Sequence, residues 1–155
     1  MMRISCALIL GVLVLAARPA LAELPGWSVT KTPHSYEALI ARLNAAVKAN
    51  KMGLVTRASA SYGAAARGLE IPGNMVVGVY RNDFAVRMLE ASVAAGIEAP
   101  IRFYITGNGD GTATLSYKTP SFVFAPYEDG GAKLKGLAKE LDAIFAKIAR
   151  EAAAR

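Results

Sequence analysis

Residues 101–118 alternate between apolar and polar side chains on both sides of the glycine-rich segment Gly107–Gly111. A period of two places successive side chains on opposite faces of a β-strand. Asn-Gly and Asp-Gly steps between two such runs are typical of a hairpin turn, because glycine adopts positive φ at little cost. The sequence therefore predicts two antiparallel strands with one apolar and one polar face. The apolar face carries Ile101, Phe103 and Ile105, and the polar face carries Arg102, Tyr104, Thr106, Thr112, Thr114 and Ser116.

The segment Gly107–Gly111 is not predicted to bind a phosphate or a metal ion. A phosphate-binding loop continues into a helix whose first N–H groups hold the anion, whereas Gly111 precedes an alternating run of β-formers. An EF-hand loop would need acidic ligands at the positions of Thr106 and Tyr117. We therefore expect this segment to be a plain turn.

The remaining pattern predicts three more strands and four helices. Two of the helices are long and carry apolar residues every three or four positions. Long connections separate the first three strands, so the element order alone also allows a partly parallel sheet. The predicted strands are Trp27–Lys31, Leu54–Ala58 and Met75–Arg81, and the predicted helices are capped by or begin near Ser35, Ser59, Asp83 and Lys133.

The first 22 residues have the layout of a secretory signal peptide. Arg3 precedes an apolar run, and Ala20-Leu21-Ala22 supplies the small residues of a cleavage site. An apolar run of about 14 residues is too short to span a bilayer, although an uncleaved membrane anchor is the alternative. We expect cleavage after Ala22, which leaves residues 23–155 as a single exported domain. The expected location is the periplasm or the medium, without membrane contact after cleavage.

The composition of the expected mature chain argues against several kinds of site. The only cysteine, Cys6, lies in the leader, and His34 is the only histidine, so neither a metal site nor a cofactor is expected. Removal of the leader lowers the formal net charge from +6 to about +4, and the basic residues are scattered, so no nucleic-acid partner is expected. His34 is expected to make a loop contact, since the sequence has no Gly-x-Ser-x-Gly nucleophile motif for it to serve. No catalytic residue is predicted.

Short stretches along residues 26–150 resemble a bacterial family known as domain of unknown function 302. They are Gly26-Trp27, His34–Leu39, Lys51–Gly53, Tyr80–Asn82, Ala99–Arg102, Asp110-Gly111 and Ser116-Tyr117. The resemblance implies an α+β two-layer sandwich, in which a curved, mostly antiparallel five-stranded sheet packs under two long helices. That arrangement is TATA-binding-protein-like, here with two shorter extra helices. The resemblance also implies a homodimer, and it assigns no activity.

One loop departs from the pattern of that family. The family often has Gly-Asn-Pro after its third strand, where this chain has Arg81, Asn82 and Asp83. Only Asn82 matches, so the resemblance assigns no role to this loop.

The polar face of the hairpin is the candidate site. We expect Arg102, Tyr104 and Ser116 to bind a small ligand or a protein partner, with Asn82 at the rim. A solvated face or a dimer surface would show the same pattern of residues. The leading hypothesis is a non-catalytic binding domain. The alternative is a small cofactor-independent hydrolase or isomerase that uses carboxylates and tyrosines, and carboxylates converging in a closed pocket would favour it.

Overall fold

Five strands form one sheet in which every pair of neighbours is antiparallel, in the order β1-β5-β4-β3-β2. This arrangement is seen in a computed structural model that describes residues 24–155. The partly parallel alternative is therefore wrong. The predicted leader, residues 1–22, lies outside the described residues. The strands are β1 (Trp27–Thr32), β2 (Gly53–Ala58), β3 (Asn74–Tyr80), β4 (Ile101–Gly107) and β5 (Ala113–Lys118).

Two long helices cover one face of this sheet, as the sequence predicts. They are α1 (Tyr36–Ala49) and α5 (Gly131–Ala153), which pack against each other and against β1, β4 and β5. The described residues also contain three shorter α-helices, α2 (Ala60–Ala65), α3 (Asn82–Ala91) and α4 (Pro120–Phe124), and two short 3-10 helices, Ala94–Glu98 and Glu128–Gly130. The two-layer α+β fold is thus confirmed. No helix in residues 24–155 is long and apolar enough to cross a membrane.

Aromatic side chains form the centre of the layer between the sheet and the helices. The ring of Phe103 on β4 stacks on Phe145 of α5, with centroids 4.8 Å apart, and lies 5.0 Å from the ring of Tyr117 on β5. Phe103 and Phe145 are completely buried. Burial of large apolar side chains from both layers at one point holds the helices on this face of the sheet.

The hairpin between β4 and β5 is confirmed as a turn fixed by its own side chains. Asp110 Oδ1 accepts hydrogen bonds from the N–H of Thr112 at 3.0 Å and from its hydroxyl at 2.6 Å. Asn108 donates from its side-chain amide to the same hydroxyl at 2.8 Å. Gly111 has a φ of 82°, which a glycine adopts without strain. These contacts define the register in which the polar side chains of β4 and β5 meet.

The last turn of α5 is held by residues from the beginning of the domain. Arg42 of α1 donates from Nε to the carbonyl of Ala152 at 2.8 Å and from Nη2 to the carbonyl of Ala154 at 2.6 Å. Nε2 of His34 lies 2.7 Å from the same Ala154 oxygen. The carbonyl groups at the C-terminus of a helix have no partners within the helix, so these contacts satisfy them. His34 therefore makes a structural contact.

Two local predictions require correction. The third helix begins at Asn82 rather than being capped by Asp83, whose carboxylate instead pairs with Nε of Arg81 at 2.7 Å. The guanidinium of Arg81 holds the pKa of Asp83 below its usual range. The short helix α4, which begins at Pro120, was not among the predicted helices. Proline is well suited to the first turn of a helix, where its missing N–H is not needed.

Candidate functional site

The face of the sheet opposite α1 and α5 carries a row of side chains that crosses every strand. Because successive side chains of a strand point to opposite faces of the sheet, the side chains of this row point away from the helices. The neighbouring row on the same face lies two residues away along each strand. In it, Arg102 on β4 lies opposite Gly78 on β3, and Lys118 on β5 lies opposite Trp27 on β1. We call this surface the open face. The row that crosses all five strands consists of Val29, Ser116, Tyr104, Val76 and Ala58.

A groove of about 490 Å³ lies on the open face. Three segments outside the sheet add to its walls: Ala60 at the start of α2, Glu98 before β4, and Val123 in α4. The volume is within the range of about 300–1,000 Å³ that small-molecule sites occupy. Its sheet side chains include Trp27, Val76, Arg102, Tyr104 and Lys118.

The charged groups of the groove are two cations and one carboxylate. Nζ of Lys118 lies 5.9 Å from the ring centroid of Trp27, which is within cation–π range. Within residues 24–155, neither Arg102 nor Lys118 forms an ion pair. Glu98 accepts a hydrogen bond from the Tyr127 hydroxyl at 2.7 Å, and this bond raises the pKa of Tyr127. The groove therefore has an excess of positive charge.

The structure brings two of the four predicted site residues together in this groove. Arg102 is exposed and Tyr104 is half-buried, and both line it. Ser116 lies on the same face but is only 1% exposed, and its hydroxyl donates to the carbonyl of Tyr104 at 3.3 Å. Asn82 is exposed at the start of α3 and lies outside the groove lining. Ser116 is therefore buried and links β5 to β4 through this hydrogen bond.

Sequence reasoning missed two prominent side chains of the groove. Lys118 continues the alternation that includes Ser116, so counting two residues further along β5 would have found it. Trp27 could not be found in this way, because only the pairing of β1 with β5 brings it beside Lys118. Pairings between strands far apart in the chain leave no local signal.

The groove does not contain a recognisable catalytic arrangement. Glu98 is its one lining carboxylate in the described part of the chain, so no pair of carboxylates converges there. Across residues 24–155, no three His, Cys, Asp or Glu side chains come close enough together to hold a metal ion. The arrangement of one guanidinium, one ammonium and several aromatic or aliphatic groups is suited to binding.

Comparisons with known proteins place the chain in a family. The profile of the family described as "Domain of unknown function DUF302" matches residues 28–152. No curated protein matches the sequence significantly. The fold is similar to that in the crystal structure of an uncharacterized conserved DUF302 protein from Bacillus stearothermophilus, with a TM-score of 0.73 and 17% sequence identity. That match covers 83% of this chain and 99% of the other chain. Since the profile spans most of the chain, the protein belongs to the DUF302 family.

Proposed function

We propose that this protein is a non-catalytic binding domain that holds a small ligand in the groove of the open face. The observation that carries the proposal is the row of side chains across all five strands, which ends in a groove of about 490 Å³. Half-buried Tyr104 and Val76 offer apolar contact at its centre, and Arg102 offers a charged hydrogen-bond donor. A pocket that is mostly apolar with a few polar groups is the usual form of a small-molecule site.

The proposal includes export of the domain. The signal-peptide pattern of residues 1–22 supports it, and the mature chain would begin at Glu23. A ligand-binding domain outside the cytoplasm would meet small molecules as they enter or leave the cell.

Native mass spectrometry of the protein purified from its own host tests both parts. We expect a chain that begins at Glu23 and carries a small molecule, which is released on denaturation. The variant Ala58→Phe places a large ring at an exposed position in the groove and should abolish the additional mass. Ala45→Phe, at an exposed position on α1, is the matched control and should retain it.

Three results would contradict the ligand proposal. The first is wild-type protein that carries no small molecule, and the second is an Ala58→Phe variant that carries the same small molecule as wild type. The third is a dimer mass that Ala58→Phe converts to a monomer, since a second copy would then cover the open face. A chain that retains Met1 outside the cytoplasm would contradict cleavage at Ala22.

A further inference from the structure

We infer that the ligand of the groove is a small amphipathic organic anion with a single negative group. This inference rests on the proposed function and specifies its chemistry. The anionic group would lie over β4 and β5, between Arg102 and Lys118. The apolar body would extend over β3 toward Val76 and Ala58.

The guanidinium of Arg102, which is unpaired within residues 24–155, indicates that the ligand carries an anionic group. Two other arginines are paired with carboxylates: Arg81 binds Asp83 at 2.7 Å, and Arg87 binds Glu140 at 2.7 Å. In the described residues, the exposed guanidinium of Arg102 has no hydrogen-bond partner and no ion pair, although it lines a groove. A guanidinium is planar and carries several donors, so it binds a carboxylate or similar anion through two parallel hydrogen bonds.

Glu98 limits the charge of the ligand. It lines the same groove as the two cations, and Tyr127 holds its carboxylate in place at 2.7 Å. The three charged groups together leave one unit of positive charge. One anionic group on the ligand neutralises this excess, whereas a second would give the occupied groove a net negative charge.

The sheet itself limits the length of the apolar body. Neighbouring strands lie about 4.8 Å apart, so the distance from β4 to β2 is about 10 Å. Tyr104, Val76 and Ala58 occupy consecutive strands along this path. Since β2 is the edge of the sheet, a longer body would extend past it into water. The groove therefore matches an apolar group of about 10 Å, attached to one anionic head.

Octanoate, 1-octanol and octylammonium test the inference, because they share an eight-carbon chain and differ in charge. Trp27 is the only tryptophan of the sequence and lines the groove, so its fluorescence reports binding of all three. We expect octanoate to bind about tenfold more tightly than 1-octanol and octylammonium, as one charged hydrogen-bond pair would provide.

The variant Arg102→Gln should reduce that preference, because only Lys118 then remains beside the anionic group, and Arg102→Gln/Lys118→Gln should remove it. Arg57→Gln is the matched control, because Arg57 lies on β2 and donates to Asn44 of α1 at 2.9 Å, away from the groove. It should leave the preference intact. Equal binding of all three molecules to wild-type protein would overturn the anionic class and leave the proposed groove standing. Failure of all three to bind, together with a wild-type protein that retains no small molecule, would overturn both.

Discussion

The two faces of β4 differ in what they contribute, although their residues alternate along one strand. On the helix side, Phe103 is completely buried between the rings of Phe145 and Tyr117. On the open face, Arg102 is exposed and lacks an ion pair within the described chain. One face therefore contributes most of the apolar burial that stabilises the fold, and the other keeps polar groups available. A single strand thus separates the stabilising core from the proposed binding surface by the direction of its side chains.

β5 departs from this simple division. All residues from Ala113 to Tyr117 are buried, including Thr114 and Ser116 on the open face. Both hydroxyls are hydrogen-bonded, to the side chain of Asn108 and to the carbonyl of Tyr104 respectively. Small polar residues at the centre of the sheet thus form a closed floor, above which the larger Arg102 and Tyr104 side chains rise. The open face combines a packed part and an accessible part.

The largest expected effect on stability distinguishes substitutions on the two faces of β4. Phe103→Ala should lower the free energy of unfolding by roughly 3–5 kcal/mol, because it leaves a cavity between the rings of Phe145 and Tyr117. The double variant Arg102→Ala/Tyr104→Ala should lower it by less than about 1 kcal/mol, since these side chains are exposed or half-buried. Urea unfolding of both variants measures the difference. If the double variant is as unstable as Phe103→Ala, the assignment of the two faces is wrong.

A medium effect tests whether the floor of the open face is closely packed. A Cβ at Gly78 would collide with the hydroxyl of Thr56 and lie 2.8 Å from Cγ of Pro100. Thr56 can rotate but the Pro100 ring cannot withdraw, so Gly78→Ala should cost about 1–3 kcal/mol of stability.

Gly63→Ala is the control for that substitution. Gly63 lies within α2, and an added Cβ would meet no atom within 4 Å. Alanine should therefore stabilise the helix by up to about 1 kcal/mol. Thermal unfolding of both variants decides the point: equal melting temperatures would show that the floor of the open face has spare room.

The smallest effect concerns the turn that sets the register of both faces. The hydrogen bond from the Thr112 hydroxyl, followed by that from its N–H, lowers the pKa of Asp110 in the folded state. A lowered pKa contributes stability above the unfolded value of about 3.9, and this contribution disappears as the pH falls through the folded value. Asp110→Asn should therefore be less stable than wild type at pH 7 by a small amount.

Unfolding at a series of pH values checks that sign. The difference in unfolding free energy between wild type and Asp110→Asn should begin to narrow below about pH 4, where the carboxylate of the unfolded chain becomes protonated, and disappear as the pH falls through the lowered pKa of the folded state. Asp129→Asn, at an exposed position in a turn before α5, should show a smaller gap at pH 7. A gap for Asp110→Asn that widens as the pH falls would mean that its carboxylate does not stabilise the turn.

The sequence predicted the helix-side face better than the open face for a physical reason. The alternation around Phe103, the helical spacing of apolar residues in α1 and α5, and the cap at Ser35 are local patterns. Ser35 indeed accepts a hydrogen bond from the N–H of Ala38, as an N-cap should. The groove instead depends on the order of the strands and on the positions of α4 and Trp27, and contacts between distant segments determine all three. Asn82 was chosen because the family resemblance and its place at the end of the third predicted strand agreed, but it lies outside the lining of the groove.

The pairing of β1 with β5 has a consequence for the order of events in the cell. Thr32 donates to the carbonyl of Ala113, 81 residues further along the chain, and Arg42 of α1 binds the last turn of α5. During synthesis, β1 and α1 leave the ribosome long before their partners exist, so the domain cannot close until nearly all of it has been translated. Contacts this distant also make closure slow. A nascent chain that folds late stays unfolded for longer, which would favour the export proposed above.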